Sequence, residues 1–427
     1  MATSAVSENV GTQRVERCKY SDFLDEMGST FAKRGSVGVL YVDLSRLRSV
    51  ERIYGVNAHE MAMEKVESAV LQIVSPYLKK LDLIARGESD ADCLLVFFFR
   101  PRAEHDFYRH DLPPLAERLS HHLLKKGKKL VYPYEQEAAS FPVGYGLSIF
   151  NPSVRDGRGL RGAIEQAQRE ARLSAEATSL IAERELIHLV IAEDIRSIYE
   201  PIVDLRTFEI YGHEALARGP SGTEWEWPTR LFGVAQDANL LFELDVLCRR
   251  AAMRGAVGKR PDGQKLFVNC LPSAINDPSF NGDALRQTLE SCGLQPEDLV
   301  LEISERETIE NHAIFRQARD YFRSVGVKIA LDDTGSGYAS MAAAMDVAPD
   351  IIKVDLSLVR TIDIDQARQA LVRALQELAD KLGAEVVAEG IETEAELNTL
   401  RNMGIAYGQG FFFGKGGAIR PAIKLEI

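Results

Sequence analysis

The first third of the chain alternates between strand-like and helix-like apolar runs. Val37–Leu44 is a short apolar run rich in β-branched residues, which predicts a strand, and apolar positions at helical spacing predict a helix at His59–Leu78. Two apolar runs separated by a polar tip predict a hairpin within Leu83–Phe99. A helical stretch near Leu115–Leu124 and a strand at Phe141–Phe150 complete a predicted α+β unit.

A long helix is predicted at Leu160–Arg184. This stretch has no Pro or Gly after Gly162 and is rich in Ala, Glu and Arg, which favour helices. The helix either packs on the first domain as its last element or serves as a connecting or dimerising helix. The pattern leaves both readings open.

After Ile187 the pattern changes to a regular alternation of strands and helices. Helices are predicted at Glu310–Ser324 and Gln366–Leu382. Strand-like runs occur at Leu266–Cys270, Leu299–Ile303, Lys328–Leu331, Ile351–Val354, Glu385–Ala388 and near Tyr407–Phe413. Repeated βα units predict parallel strands, and about eight units in about 240 residues fit a closed barrel. A doubly wound open sheet is the alternative, but no Gly-rich phosphate loop follows a first strand.

Length and composition set the class of protein. The 427 residues exceed one ordinary core, and 45% hydrophobic with 27% charged residues is typical of a soluble globular protein. The absence of an apolar run of about 20 residues predicts no membrane span, and the polar N-terminus predicts no secretory signal. We therefore expect a cytoplasmic protein. The net charge of −12 argues against non-specific nucleic-acid binding, and five cysteines without paired spacing argue against a zinc site.

These patterns together predict four segments. Residues 1–35 form an N-terminal tail, 36–157 an α+β domain, 158–186 a connecting helix and 187–427 the barrel. The fold class is α/β, a (β/α)8 TIM-like barrel preceded by the α+β domain.

Acidic and amide side chains follow the predicted barrel strands. They are Glu214, Asn269, Glu302, Asp332, Asp333, Glu389 and Gln409, with Lys353 among them. In a β/α barrel the strand ends meet at one rim, where active sites lie. A single strand-end acid is more often a helix cap, but six strands ending this way favour a shared site. Five carboxylates at one place need counter-charge, and oxygen ligands select Mg²⁺ or Mn²⁺. Two such ions are a known arrangement for attack on phosphoryl groups.

The same residues resemble the signature of a known family. Glu214-Ala215-Leu216 with Arg218 resembles the EAL motif of cyclic di-GMP phosphodiesterases, which hydrolyse that messenger to linear pGpG. Further blocks resemble the family in order and spacing: FVN at Phe267–Asn269, LEISE at Leu301–Glu305, DDTGSGYAS at Asp332–Ser340, IKVD at Ile352–Asp355, AEGIET at Ala388–Thr393 and YGQGFFFG at Tyr407–Gly414.

The resemblance implies a role for each position. Metal ligands would be Glu214, Asn269, Glu302, Asp332 and Asp333, with Asp332 bridging two ions. Lys353 would position the attacking water, Glu389 would act as general base, and Glu305 would brace the loop after Asp333. Substrate contacts would come from Arg218, Glu200, Leu216 and Gln409. The family also implies a homodimer through the barrel domain.

Three positions, in two segments of the chain, depart from the family pattern. The loop usually reads DDFGTGYSS, whereas this chain has Thr334 in place of the Phe and Ser336 in place of the Thr. Glu200 stands where the family usually has Gln before Pro-Ile-Val. We expect its negative charge to weaken binding of an anionic ligand.

The first domain resembles the diguanylate cyclase (GGDEF) domain, a nucleotidyl-cyclase palm, with its chemistry lost. Asp43 keeps a metal-binding position, but Glu51 replaces the guanine-contacting Asn. The signature reads Glu88-Ser89-Asp90-Ala91-Asp92, so side chains stand where two glycines admit phosphates. Lys79-Lys80-Leu81-Asp82 replaces the inhibitory Arg-x-x-Asp, and Lys lacks the bidentate fork of Arg. We expect no cyclase activity, and a structural or partner-binding role rather than nucleotide sensing.

The sequence therefore predicts a cyclic di-GMP phosphodiesterase with a silent GGDEF-like domain. The alternative is a cyclic di-GMP receptor with little turnover, favoured by the changes at Thr334 and Glu200. A pure interaction scaffold would leave the full set of acids without a purpose. With no sensory domain recognised, regulation is expected from a protein partner or from dimer geometry.

Overall fold

A computed structural model of the chain describes residues 8–10, 13–87, 92–134, 140–154, 157–304, 312–334 and 348–422. The chain divides into two units, Met1–Ile181 and Ala182–Ile427. Within the described ranges, no helix combines the length and apolar character that crossing a membrane requires.

The first unit is built on a six-stranded sheet. Its order is β1-β2-β4-β5-β3-β6. The strands are β1 Glu8–Val10, β2 Gln13–Lys19, β3 Gly35–Asp43, β4 Leu83–Arg86, β5 Cys93–Pro101 and β6 Val143–Ile149. The predicted hairpin is confirmed: β4 and β5 pair antiparallel, with Arg86 opposite Leu94. The residues 88–91 at its tip lie outside the described ranges.

Helices cover both faces of this sheet. They are α1 Leu24–Arg34, α2 Leu47–Tyr54, α3 Val56–Val74, α4 Leu112–Val131 and α5 Arg158–Ile191. On one face Val66 and Leu119 pack in a cluster with Val96, and on the other Phe31 and Ala163 pack with Phe97. The structure therefore differs from the tail expected at 1–35, because Met27 and Phe31 bury one side of α1 against the sheet.

The long helix α5 lies unusually close to strand β6. A Cβ atom at Gly144 would lie 2.2 Å from the Ala167 carbonyl oxygen, and one at Gly146 would lie 2.0 Å from that of Ala163. Both positions therefore require glycine, and the small Ala163 and Ala167 let the helix backbone approach the strand. The start of the predicted long helix thus packs on the first unit as its last element. A dimerising role stays a prediction.

The second unit is a closed barrel of eight strands. Its order is β10-β11-β12-β13-β14-β7-β8-β9. The strands are β7 Arg196–Asp204, β8 Ile210–Arg218, β9 Lys265–Asn269, β10 Leu299–Ser304, β11 Lys328–Thr334, β12 Ile351–Val354, β13 Glu385–Ala388 and β14 Tyr407–Gln409. The described helices are α6 Pro228–Asp237, α7 Leu241–Ala256, α8 Gly282–Ser291, α9 His312–Ser324, α10 Leu356–Val359, α11 Gln366–Leu382 and α12 Glu394–Asn402. The TIM-like closed barrel is confirmed, and the open-sheet alternative is wrong.

One strand departs from the expected all-parallel pattern. Strand β7 runs antiparallel to both of its neighbours, β8 and β14, while the other seven strands run parallel. The connection from Asp204 to Ile210 is too short for the crossover that a parallel pair needs. Asp204 closes this hairpin by accepting hydrogen bonds from the Arg206 and Thr207 backbone N–H groups.

The barrel interior is a packed apolar layer. Six strands contribute its fully buried members, which are Ile202, Phe267, Val300, Ala330, Ile351 and Val387. Because alternate strand residues share a face, the residue two positions nearer the carboxyl-end rim also points inward. Those positions carry polar side chains, and they form the candidate site.

Candidate functional site

A polar layer lies directly above the apolar layer of the barrel. Phe267 is followed two residues later by Asn269, Val300 by Glu302, Ala330 by Asp332, Ile351 by Lys353 and Val387 by Glu389. In the antiparallel strand β7 the step runs backwards, from Ile202 to Glu200. The strand-end residues that the sequence predicted to converge are therefore placed by one periodic rule.

Lys353 is the centre of this layer. Its side chain is only 1% exposed, and its Nζ lies 2.6 Å from Glu302 Oε1 and 2.6 Å from Glu389 Oε1. Asp332 Oδ1 lies 3.1 Å away and Glu214 Oε2 3.4 Å away. One buried ammonium thus faces four carboxylates that come from four different strands.

Two amide side chains connect the acids to one another. Gln409 Nε2 donates to Glu214 Oε2 at 2.6 Å. Asn269 Nδ2 donates to Glu302 Oε2 at 3.2 Å and approaches Glu214 Oε1 at 3.4 Å. Glu214 is therefore held from two sides, by strands β9 and β14.

Burial and mutual repulsion change the proton affinities in this cluster. Burial, followed by the nearby Glu214, raises the pKa of Glu302 well above its usual value, and burial raises the pKa of Glu389 to about 8. Burial alone would lower the pKa of Lys353, but the carboxylates around it raise that pKa well above its usual value. Lys353 is therefore a permanent cation, while some of its partners hold protons when no other positive charge is near.

A bulge brings a second aspartate to the site. The register between β11 and β12 shifts between Leu331 and Thr334, and Asp333 has a φ of 57°, a left-handed conformation that is uncommon outside glycine. Oxygens of Asp332, Asp333 and Glu389 all lie within 4.8 Å of one another. Bulges beside active sites commonly redirect a side chain in this way.

The donor set fits divalent cations. Glu302 Oε1 and Asp332 Oδ1 are buried and have no aligned hydrogen-bond partner among the described residues, although both face Lys353 Nζ. Five carboxylates share the single ammonium of Lys353, which leaves a large excess of negative charge. Hard oxygen donors in excess are what Mg²⁺ or Mn²⁺ require.

The expected substrate-contacting residues lie towards the rim. Leu216 and Arg218 follow Glu214 along the inward face of β8, and Glu200 on β7 lies directly opposite Glu214. Burial, and then repulsion from Glu214, raises the pKa of Glu200. The sequence predicted Glu200 as a substrate contact. It did not predict that Glu200 lies directly opposite Glu214, because that placement follows only from the antiparallel register of β7 and β8.

The sequence also singles out Glu305, Ser336 and Thr334. Glu305 and Ser336 lie outside the described residues. Thr334 is fully buried at the end of β11, and its hydroxyl donates to the Leu331 carbonyl at 3.3 Å.

The sequence pattern did not single out Trp227, whose ring lies beside the Arg218 guanidinium. The available signal was that both tryptophans of the chain stand at 225 and 227.

In the first unit, charged side chains near the cyclase-like positions form ion pairs with one another. Arg48 Nε donates to Asp92 at 2.7 Å, and Arg86 pairs with Glu60 and Glu67. Residues 88–91 of the expected signature fall outside the described ranges.

Some known proteins are similar to the barrel unit, and others are similar to most of the chain. The family model described as the EAL domain matches residues 183–416. Cyclic di-GMP phosphodiesterase NbdA of Pseudomonas aeruginosa is 26% identical over 408 residues, covering 92% of this chain and 50% of that protein. Probable cyclic di-GMP phosphodiesterase PdeG of Escherichia coli is 31% identical over 227 residues, covering 52% of this chain and 44% of that protein.

A solved structure supports the fold. The EAL domain of Xanthomonas citri FimX, determined in complex with c-diGMP, superposes with a TM-score of 0.53 at 20% identity, covering 59% of this chain and 99% of that one. At this identity the likeness speaks for the fold alone. The chain spans only part of the curated relatives that match most of its length, between 39% and 62% of theirs.

Proposed function

The chain belongs to the EAL domain family, and from that premise we propose that it hydrolyses one phosphodiester bond of cyclic di-GMP to give linear pGpG. The observation that carries the proposal is the polar layer, in which four carboxylates from four strands surround Lys353. Matching relatives named as cyclic di-GMP phosphodiesterases support the choice of substrate.

EAL domains generally use divalent metal ions, and we propose Mg²⁺ or Mn²⁺ here. The ligands would be Glu214, Asn269, Glu302, Asp332 and Asp333, with Glu305 bracing the adjacent loop. When bound, the ions neutralise phosphate charge and lower the pKa of water.

Lys353 and Glu389 have different roles toward the attacking water molecule. Lys353, a permanent cation, orients the attacking water and balances charge on the phosphorane-like transition state. Glu389 accepts a proton from that water as the water oxygen bonds to phosphorus. The O3′ oxygen leaves with the electron pair of the broken P–O3′ bond and takes up a proton from solvent to become the free 3′-hydroxyl. The raised pKa of Glu389 suits proton transfer near neutral pH. Arg218, Leu216, Gln409 and Glu200 form the surrounding substrate contacts.

We propose that the first unit is a silent GGDEF-like domain with a scaffold or partner-binding role. Arg86 pairs with Glu60 and Glu67, and Asp92 pairs with Arg48, so these three acids already have cationic partners. A homodimer through the barrel, a regulatory protein partner and a cytoplasmic location belong to the same proposal.

A receptor with little turnover is the second candidate. The observation that favours it is Glu200, a carboxylate placed directly opposite Glu214 where an anionic substrate must approach. In this reading the protein binds cyclic di-GMP and transmits its occupancy.

Incubation of the purified protein with cyclic di-GMP and Mg²⁺ or Mn²⁺ separates the two candidates. Chromatography is expected to show steady production of pGpG that stops when a chelator is added. Tight binding of cyclic di-GMP without product in the same preparation would favour the receptor and contradict hydrolysis.

Cation binding is expected to release protons. In the metal-free protein the pKa of Glu389 is about 8, so this carboxyl holds a proton at neutral pH, and burial raises the pKa of Glu302 as well. A cation bound among these carboxyls favours their ionised forms, so its affinity rises with pH up to about 8 and then levels off. Calorimetric titration of Mn²⁺ in buffers of different ionisation enthalpy measures the released protons. The release should decrease in Glu389→Gln, and an unchanged value in that variant would contradict the assignment.

Removing the charge of Glu200 is expected to improve substrate binding. Glu200→Gln removes a carboxylate, directly opposite Glu214, that repels the phosphates of cyclic di-GMP by up to about 1 kcal/mol. We expect KM for cyclic di-GMP to fall by up to about 5-fold, with kcat nearly unchanged. Glu209→Gln, on the hairpin at the opposite end of β8, is the matched control. A KM that rises in Glu200→Gln would show that the carboxylate binds the substrate directly.

A further inference from the structure

An exposed tryptophan stands at the rim of the barrel. The Trp227 side chain is 60% exposed, and Arg218 Cζ lies 5.2 Å from the centroid of its ring. Arg218 ends strand β8, four residues beyond Glu214, which is about 13 Å along the strand. The indole therefore lies on the same rim as the candidate site. Its separation from the acids is one that a single nucleotide can span.

The loop that carries Trp227 is fixed on both sides of the indole. Trp225 is buried, and its Nε1 donates to Glu185 at 3.1 Å. The carboxylate of Glu226 accepts from Arg196 Nη2 and from the Gly222 N–H, both at 2.9 Å. Pro228 then begins helix α6. A rigid, exposed aromatic ring loses little conformational entropy when it binds a ligand.

The polar surroundings of Trp227 favour a phosphate. Arg196, directly opposite Arg218 on β7, is paired with Glu226, whereas Arg218 makes no ion pair within the described part of the chain. Arg218 Nη1 donates to the Ala217 carbonyl at 2.7 Å. A guanidinium has five N–H groups, so the others can reach a phosphate. A flat aromatic face beside a cationic edge is the combination that takes a base and its phosphate together.

We propose that Trp227 stacks on one guanine base of cyclic di-GMP and makes the site select a nucleotide over a simple phosphodiester. The inference rests on the proposed function and deepens it. Arg218, held over the indole, engages the phosphate of the same nucleotide. Trp227 is thus a substrate-binding residue outside the group that carries the reaction.

Kinetics with two substrates test the proposal. Trp227→Ala should lower kcat/KM for cyclic di-GMP by about 10-fold or more, mainly through KM, and Trp227→Phe should restore most of the loss. Methyl p-nitrophenyl phosphate, whose only ring is on the reacting phosphate, should be hydrolysed by all three proteins at similar rates. Equal losses on both substrates, or no loss on either, would overturn the proposal.

Tryptophan fluorescence gives a readout that does not require turnover. The chain has only two tryptophans, and Trp225 is buried. Cyclic di-GMP should therefore quench the fluorescence of the native protein, and the quenching should disappear in Trp227→Phe, which keeps Trp225 as an internal reference. Hydrolysis without quenching would contradict the stacking and leave the proposed function intact. Quenching without hydrolysis would support stacking in a receptor, and the absence of both would reject stacking and the proposed function together.

Discussion

Replacing Glu214 by alanine is expected to abolish hydrolysis of cyclic di-GMP. Glu214 is buried, accepts a hydrogen bond from Gln409 and lies within 3.4 Å of both Asn269 Nδ2 and Lys353 Nζ. Its loss removes a proposed metal ligand and releases the amides that orient the others. Loss of a supporting partner outside the ligand set typically costs about 10- to 100-fold, so we expect a fall in kcat of more than about 100-fold.

The control for this experiment is another glutamate of the same unit. Glu290 is exposed on helix α8, away from the polar layer, and Glu290→Ala should hydrolyse cyclic di-GMP at the native rate. Product formation is followed by chromatography, and the Mn²⁺-induced shift in melting temperature is measured on both variants. Comparable activity in the two variants would remove Glu214 from the site, and an unchanged Mn²⁺ shift in Glu214→Ala would remove it from the ligands.

The convergence of the site was predictable because it depends on periodicity. Once the apolar runs are assigned to parallel barrel strands, alternate residues point inward and the strand ends meet at one rim. Asn269, Glu302, Asp332 and Lys353 occupy the positions that this rule requires. The two-residue step from apolar layer to polar layer needs no information beyond the sequence.

Strand β7 was not predictable in the same way. Pro201 lies in its middle, and proline within an apolar run argues against a central strand because it lacks an N–H donor. Orientation also depends on the Asp204–Ile210 turn, whose length permits only an antiparallel return. The repulsive pairs Glu200–Glu214 and Arg196–Arg218 follow from this register, so the sequence pattern alone contained no sign of them.

The first unit holds a buried ion pair at a position that resembles the acid of an inhibitory motif. Asp82 is the last residue of Lys79-Lys80-Leu81-Asp82, in which Lys replaces the arginine of that motif. Both its oxygens accept hydrogen bonds from Arg100 Nη1, at 2.7 and 2.8 Å, and the N–H groups of Lys79 and Phe99 donate to them as well. With these partners, Asp82 serves the fold of its own unit, which a motif match does not reveal.

Replacing Asp82 by alanine is expected to destabilise the first unit by about 3–5 kcal/mol. Asp82 and Arg100 are 0% and 1% exposed, so the variant leaves a buried guanidinium without its buried counter-ion, which is the costly way to break such a pair.

Hydrogen exchange measured by mass spectrometry distinguishes the two units: peptides from β4 and β5 should lose protection, while barrel peptides keep theirs. Asp106→Ala is the matched control, because it removes the acid of an exposed pair with His105 and should cost less than about 1 kcal/mol. The double variant Asp82→Leu with Arg100→Met should recover most of the stability, because no buried charge remains. Native protection in Asp82→Ala would mean that the pair contributes nothing to the fold and would return Asp82 to consideration as a ligand group.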